Sequence, residues 1–415
     1  MTVKTKTRLA LVPQYMRKFQ CIGPSCEDSC CVGWRVNIDE STYRKYQDVD
    51  HADLQTDLDK YVTRNRSNPS AANYAKIKMK AGGACPFLDG EKLCGIQKNL
   101  GESYLSNTCS QYPRSNNMTN GQWERSATVS CPEIARLALL NPEPMEFDQI
   151  EEDADARFAT NKELHTGDVK YLNKPQRFFW ELRIFTIQVL QHRAFSLSSR
   201  LILLGLFYQK AQEKAQAGEV QKIPELIEEF MVMLFQDSVK RQLDEVPVQT
   251  ALQMKLAKEI MDQRFASGVN SSRYMEVITH FLHGIQFTKE TPVEQIAQRY
   301  ADAYENDYSP FMAEHEYILE NYLVNYVYKN MFPFTGSKEL FDAYVMMIIH
   351  YSMIKLLLIG NAGFHKGLDT DRVLLVIQSF AKTIEHSDVY LRKMEKLLKE
   401  NGYTTMAYMS ILIKN

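Results

Sequence analysis

Four thiols stand within eleven residues near the start of the chain: Cys21, Cys26, Cys30 and Cys31. Four more follow at Cys85, Cys94, Cys109 and Cys131, three of them directly before Pro86, Gly95 and Pro132, and no cysteine occurs after residue 131. Packing alone does not explain this density. A metal ion or iron-sulfur cluster needs thiolates converging from a tight loop, closed by further cysteines from elsewhere in the chain. The one histidine before residue 131 is His51, in a charged segment expected to be helical, so the donor set is thiolate and suits zinc or iron-sulfur. Adjacent Cys30 and Cys31 point apart in most backbone conformations; a cluster, or two neighbouring centres, accommodates both better than one small ion does. A 4Fe-4S cluster, zinc alone, two centres, disulfides and free thiols all remain open at this stage, with disulfides disfavoured in a reducing compartment.

A second constellation lies near residue 320. Glu314, Asn321 and Asn325 recur at helical spacing, Glu316 and Glu320 fall on an adjacent face, and Tyr317, Tyr322, Tyr326 and Tyr328 are close by in sequence. Carboxylates, amides and phenols gathered in a pocket can position an ammonium and accept its proton, and aromatic faces hold cations. Glu320, Asn321, Asn325 and Tyr326 are the catalytic candidates. The same spacing also fits an amphipathic helix with a solvated acidic side and an aromatic core side. His280 and His283, at i,i+3, could share a ligand or simply sit at the surface, and His350 reads as a hydrogen-bonded core residue. Lys76, Lys78 and Lys80 alternate with Ile77 and Met79 as one face of an exposed strand, where an acidic partner is a second reading.

The elements that must position these groups divide the chain in two. Residues 1–140 hold nineteen basic against fourteen acidic side chains, while the rest holds thirty against thirty-seven. Neither imbalance, nor any dense arginine stripe, points to nucleic acid. The front, 1–141, alternates briefly at Trp34, Val36 and Ile38 and is rich in turns such as Ser67–Ser70. Helices are expected only over about Asp39–Thr63 and Ile134–Leu140. Residues 142–169, with Pro142, Pro144 and a run of acids, read as a linker.

Residues 170–415 carry long amphipathic stretches punctuated by proline and glycine, the pattern of packed helices. Pro224 opens one, followed by Leu226, Phe230 and Met233 on one face; Ser387 caps another that stops at Asn401 and Gly402. The expected fold is therefore mainly α, a small loop-rich cysteine or metal domain followed by a multi-helix domain. The most apolar stretch, Tyr344–Ile359, is interrupted by His350 and Lys355 and reads as a buried helix rather than a membrane span. The first thirteen residues have no secretory h-region, so the expected compartment is the cytoplasm.

The cysteine pattern, with Leu93, Gln97, Leu100, Glu102, Tyr112, Pro113 and Arg114 around it, resembles the flagellin lysine-N-methylase family, within a wider group of cysteine-rich zinc- or iron-chelating proteins. The segment Glu314–Tyr326, ending near Phe332–Phe334, resembles the helical part of that family, so the resemblance covers most of the chain. It implies a bacterial enzyme that transfers methyl groups from S-adenosylmethionine to lysines of flagellin and is associated with a 4Fe-4S cluster. The residues themselves add two restrictions. Ala81, Gly82, Gly83 and Ala84 are too short for the Gly-rich loop of the common methyltransferase fold, and the βαβ pattern around them is missing. Cys26 and Cys30 have the first spacing of the radical-enzyme cluster motif, but Gly33 stands where its third cysteine belongs. The rival functions are a noncatalytic zinc- or iron-binding adaptor and an iron-sulfur electron carrier.

Overall fold

The computed structural model describes residues 7–33, 36–67, 69–153, 160–255, 271–288, 290–337 and 339–415. Trp34, Asn68 and the basic start over residues 1–6 lie outside them. Among the described residues are eight strands: β1 (Thr7–Pro13), β2 (Asn37–Ile38), β3 (Val62–Arg64), β4 (Ala75–Ile77), β5 (Arg114–Thr119), β6 (Gln122–Ala127), β7 (Phe147–Asp153) and β8 (Lys162–Leu164). They form a five-stranded sheet, in the order β7-β1-β6-β5-β8, and a three-stranded one, β2-β4-β3. In β4, Ala75 and Ile77 point into a small core while Lys76, like Lys78 and Lys80 beyond it, is exposed, which is the period-two alternation expected there. The β5–β6 hairpin turns at Asn120 and Gly121, both at positive φ, which is the conformation a two-residue turn needs to follow the twist of its strands.

The acidic segment expected to be a linker is in part built into this sheet. Residues 147–153 run antiparallel to the whole of β1, and β8 pairs with β5. The physical reason is charge supplied from distant strands: Arg8 and Arg125 grip Glu152 at 2.7 and 2.6 Å, while Arg8 lies over the Trp123 ring at 4.0 Å. The helix expected over Asp39–Thr63 is likewise two helices, α1 (Glu40–Gln47) and α2 (Ala52–Tyr61). Each carries its own cap. The Asp39 carboxylate accepts from the Thr42 amide, and the His51 ring accepts from the Leu54 amide, so His51 is a helix cap. The expected helix at Ile134–Leu140 is α3 (Pro132–Leu139), with Pro132 in its first turn.

The helical body contains α4 (Phe179–Leu190), α5 (Leu197–Gln216), α6 (Ile223–Met233), α7 (Ser272–Gly284), α8 (Tyr317–Lys329), α9 (Leu340–His365), α10 (Thr370–Phe380), α11 (Asp388–Glu400) and α12 (Met406–Ile413). The protein is mainly α, as expected. Helix α9 is long and apolar enough to cross a membrane, yet its apolar window is wholly buried among the other helices, so it is the central core helix. Helix α7 crosses it so closely that a Cβ on Gly284 would overlap the Gly360 carbonyl. No side chain larger than hydrogen fits there.

Two apolar cores organise the molecule. The smaller gathers Val36, Ile38, Tyr46, Leu58, Cys85, Phe87, Ile96 and Leu105. The larger runs without a break from Tyr15, Ala127, Val129 and Ile134 into Leu182, Phe207, Leu323 and the length of α9. The five-stranded sheet and α3 therefore pack as part of the helical body. A fork of hydrogen bonds fixes this seam: Arg183 donates to both oxygens of Glu124 at 2.7 and 2.6 Å, with both side chains shut off from solvent.

Candidate functional site

Six of the eight thiols, Cys21, Cys26, Cys30, Cys31, Cys94 and Cys131, line one cavity of about 180 Å³. The loop that carries the first four is shaped by Gly23, whose φ of +55° opens a short 3-10 turn, and is pinned where the Cys85 amide donates to the Cys31 carbonyl at 2.8 Å. Cys94 and Cys131 each stand immediately before a helix, Gly95–Leu100 and α3. Cys85 sits behind the cavity in the smaller core, with Cys109 packed against it. None of the eight forms a disulfide.

Burial sets the chemistry of these thiols. It pushes Cys85 up to about 11 and both Cys109 and Cys131 up to about 12, and it raises Cys26 as well. Cys30 goes the other way, down to about 7, because it shares a hydrogen bond with Cys31 and feels the Lys382 charge; Cys31 is raised correspondingly. Among the described residues no three Cys, His, Asp or Glu side chains stand at the distances that hold a single ion. The donor set itself, all sulfur apart from Asp28, fits zinc or an iron-sulfur cluster.

Sequence spacing gives no sign of what holds the cysteine loop to the body. Asp28 accepts from Lys382 Nζ and from Gln378 Nε2, both at 2.7 Å, and Glu27 accepts a fork from Arg136 in α3. Lys382 belongs to a widened π turn, Ala381–Glu385, that follows α10. Such turns break the α-helical ladder and re-aim their side chains.

The four candidates on α8 are brought to one helix but not to one site. Glu320 is 1% exposed and is held by two arginines, Arg193 at 2.9 Å and Arg200 at 2.7 Å. Asn321 donates to the carbonyls of Leu139 and Asn141. Asn325 accepts from the Tyr15 hydroxyl at 2.7 Å and donates to the Ala127 carbonyl. Asn321 and Asn325 fasten the helix to the front segment and the sheet, while Glu320 ties it to arginines of the helical body. The solvated acidic side that the spacing allowed is absent where Glu320 stands. Tyr326 differs: its ring borders a separate cavity of about 420 Å³, with Lys329, His350 and Glu385.

That cavity lies between α8, α9, the π turn and the start of α11. Lys329 Nζ meets Glu385 at 2.6 Å and the Tyr322 hydroxyl donates to the other Glu385 oxygen at 2.8 Å. Burial raises the Glu385 carboxyl, but Lys329, His350 and the two hydrogen bonds outweigh it and leave the group below its ordinary value. His350, 3% exposed, is bonded at Nδ1 to the Met346 carbonyl at 2.6 Å, as a core histidine should be. Its ring centroid is 5.2 Å from that of Tyr326. His280 bonds His365 at 3.1 Å and stacks on Phe364, and His283 lies with its ring centroid 5.9 Å from the same Phe364 ring.

Comparison with known proteins places this geometry in context. The family model described as FliB lysine N-methylase C-terminal domain matches residues 183–412. A protein of Salmonella typhimurium strain LT2 named lysine-N-methylase is 23% identical over 388 residues, 90% of this chain and 91% of the relative. A protein of the same name from Salmonella choleraesuis is also 23% identical, over 387 residues. The flagellar biosynthetic protein FliU of Salmonella muenchen is 34% identical over 134 residues, 32% of this chain and 78% of the relative. No solved structure matches.

Proposed function

The chain belongs to the FliB lysine N-methylase family, and from that premise we propose that it methylates lysine side chains of flagellin with S-adenosylmethionine, using an iron-sulfur cluster held by its N-terminal cysteines. The observation that carries the reading is the similarity along nearly the whole chain to proteins named for lysine methylation. The flagellar name of the FliU relative supports flagellin as substrate. Flagellin is made in the cytoplasm, where this protein would meet it.

Cys21, Cys26, Cys30, Cys31, Cys85, Cys94, Cys109 and Cys131 are the residues available to hold the cluster, with a 4Fe-4S form favoured by the density of thiols around one cavity. When bound, such a cluster supplies either an open iron for the cosubstrate or a redox centre. Zinc in its place would leave the front domain a structural module. The remaining demand falls on the chain. A lysine side chain has a pKa of about 10.4 and is protonated at neutral pH, so its amine must be desolvated or deprotonated before it can accept a methyl group.

Oxygen-free purification followed by iron, zinc and sulfide analysis tests the centre, and about four iron and four sulfide per chain are expected. Cys26→Ala and Cys30→Ala should each lose that complement. The loaded protein, given S-adenosylmethionine and flagellin, should add about 14 Da per methyl group to flagellin lysines. A fully loaded, folded protein that leaves flagellin unchanged would overturn the reading.

A further inference from the structure

The geometry points to the cavity between α8, α9 and the π turn as the seat of the acceptor lysine, with His350 Nε2 as the atom that takes the proton from its amine. This rests on the methylase reading above and adds the place and the base. A carbonyl can only accept, so the 2.6 Å contact with Met346 requires the hydrogen on His350 Nδ1. In the neutral ring Nε2 then carries the lone pair. Among the described residues no side chain is bonded to it, and none is bonded to the Tyr326 hydroxyl, although these residues are only 3% and 6% exposed. The neighbouring polar groups are committed: Tyr322 and Lys329 to Glu385, Asn325 to Tyr15 and Ala127. Both residues line one cavity, where polar groups that the protein leaves without partners mark a place for a ligand's hydrogen bonds.

The walls suit a lysine side chain. Met346 and Leu391 offer apolar surface for its methylenes, and at about 420 Å³ the cavity is of small-ligand size. The electrostatics favour the amine over the ammonium. Glu385, the more buried of the two carboxylates at the wall among the described residues, is already occupied by Lys329 and Tyr322, so it does not hold a second ammonium in its charged form. The Lys329 cation opposes another positive charge. Elsewhere in the same body Lys355 is lowered to about 7, chiefly by burial, with Glu316 opposing the shift and Lys414 adding to it. Burial pulls the His350 imidazole below its ordinary value; Glu385 and the Met346 hydrogen bond work against this, and Lys329 works with it. Among the described residues, Lys162, Arg392 and Glu395 are the remaining charges at the cavity wall.

The step balances. The ammonium gives one proton to His350 Nε2, freeing the nitrogen lone pair. That pair forms the new nitrogen–carbon bond to the methyl of the sulfonium cosubstrate while the sulfur–carbon bond breaks and its electrons return to sulfur. The methylated ammonium leaves, and His350 loses its proton to solvent.

His350→Asn keeps the donor to Met346 and removes the base. In the full chain loaded with its centre, this variant should lower kcat for flagellin about a hundred-fold with KM little changed. Its rate should keep rising toward alkaline pH, where solution hydroxide deprotonates the lysine. Tyr326→Phe should raise KM with a smaller effect on kcat. Independently of methyl transfer, n-butylamine titrated into the wild-type chain should shift the His350 imidazole resonance, and Tyr326→Phe should weaken that binding. The assignment is overturned if His350→Asn methylates with the wild-type rate and pH profile, or if n-butylamine leaves the resonance in place. A wild-type protein that binds n-butylamine but methylates nothing would instead remove the methylase reading and leave an amine site.

Discussion

Lys382 and Glu385 leave one π turn for two different sites: Lys382 Nζ holds Asp28 of the cysteine loop at 2.7 Å, and Glu385 holds Lys329 at the wall of the helical-body cavity at 2.6 Å. An α-helical turn would have set these positions differently, so the widened turn serves both contacts. The thiol cavity and the cavity proposed for the acceptor lysine are thereby attached to the same short stretch of backbone. His386, next in sequence, adds a third tie, its Nε2 lying 2.9 Å from the Ser130 hydroxyl beside Cys131.

Removing the first of these ties should loosen the cysteine loop without unfolding the body. Both partners of the Lys382–Asp28 pair are largely buried, and Asp28 would keep Gln378 at 2.7 Å and the more distant Arg273 at 4.0 Å. Lys382→Met is expected to cost about 1.5–3 kcal/mol, the usual range for a hydrogen bond to a charged group. It should also speed the loss of iron to a chelator several-fold. Iron loss at the wild-type rate, followed by absorbance, would show that the pair does not hold the loop.

The seam between sheet and helices should be more costly to break. Glu124→Gln leaves the Arg183 guanidinium buried without its counter-charge and should destabilise the fold by about 3–5 kcal/mol in urea titration. Arg183 also lies over the rings of Trp180 and Phe179, so its stem and face remain packed in the variant. Replacing both partners with Glu124→Leu and Arg183→Met should recover much of the loss. If the double variant is no more stable than the single one, the buried charge is not the source of the cost.

Which parts of this molecule can be read along the chain depends on how far away their partners lie. Tyr344–Ile359 announces a buried helix because its apolar residues cover every face, and its polar members His350, Ser352 and Lys355 each find a backbone carbonyl, those of Met346, Ile349 and Ile413. The clustered cysteines announce a common cavity for the same local reason. Strand β7 is hidden, since Asp148, Glu151 and Glu152 look like a solvated run until Arg8 and Arg125 arrive from β1 and β6. The Asn120-Gly121 dipeptide was a usable sign of the β5–β6 hairpin. Helical spacing near residue 320 gathers the right chemical groups but carries no information about Arg193, Arg200 or the carbonyls of Leu139 and Ala127, which claim three of them. Glu385 and Lys382 have no local signature at all, because a π turn has no residue pattern that sets it apart.

Lys355 offers a pH test with a defined sign. Its folded-state pKa, about 7, lies below the ordinary 10.5 because burial disfavours the charged form; Glu316 partly offsets this, while Lys414 adds to it. Between those two values the unfolded chain binds the extra proton, so this lysine makes stability rise with pH across that window. Below about pH 7 the full burden is present. Lys355→Met should therefore stabilise the protein most near neutral pH, and the gain should shrink by about 1.4 kcal/mol for each pH unit above it. Chemical denaturation at pH 7, 8 and 9 measures that slope, and a pH-independent difference would mean that Lys355 stays charged in the fold.

The eight thiols fall into two electrostatic neighbourhoods that meet at Cys30. Cys31 and Cys109 feel Cys30, Cys85 and Cys94, whereas Cys131 feels Cys26 and Cys21, and Cys26 in turn feels Cys30. A centre spanning both sets would draw on the thiol at their junction. Cys30→Ser is thus expected to lose more iron and sulfide than Cys21→Ser, which lies at the exposed end of one set. The comparison is made on protein purified without oxygen, with the fold of each variant verified by its melting curve. Equal retention in the two variants would place the centre away from the junction and shift attention to Cys94 and Cys109, which stand before and within short helices, and to Cys85 in the smaller core.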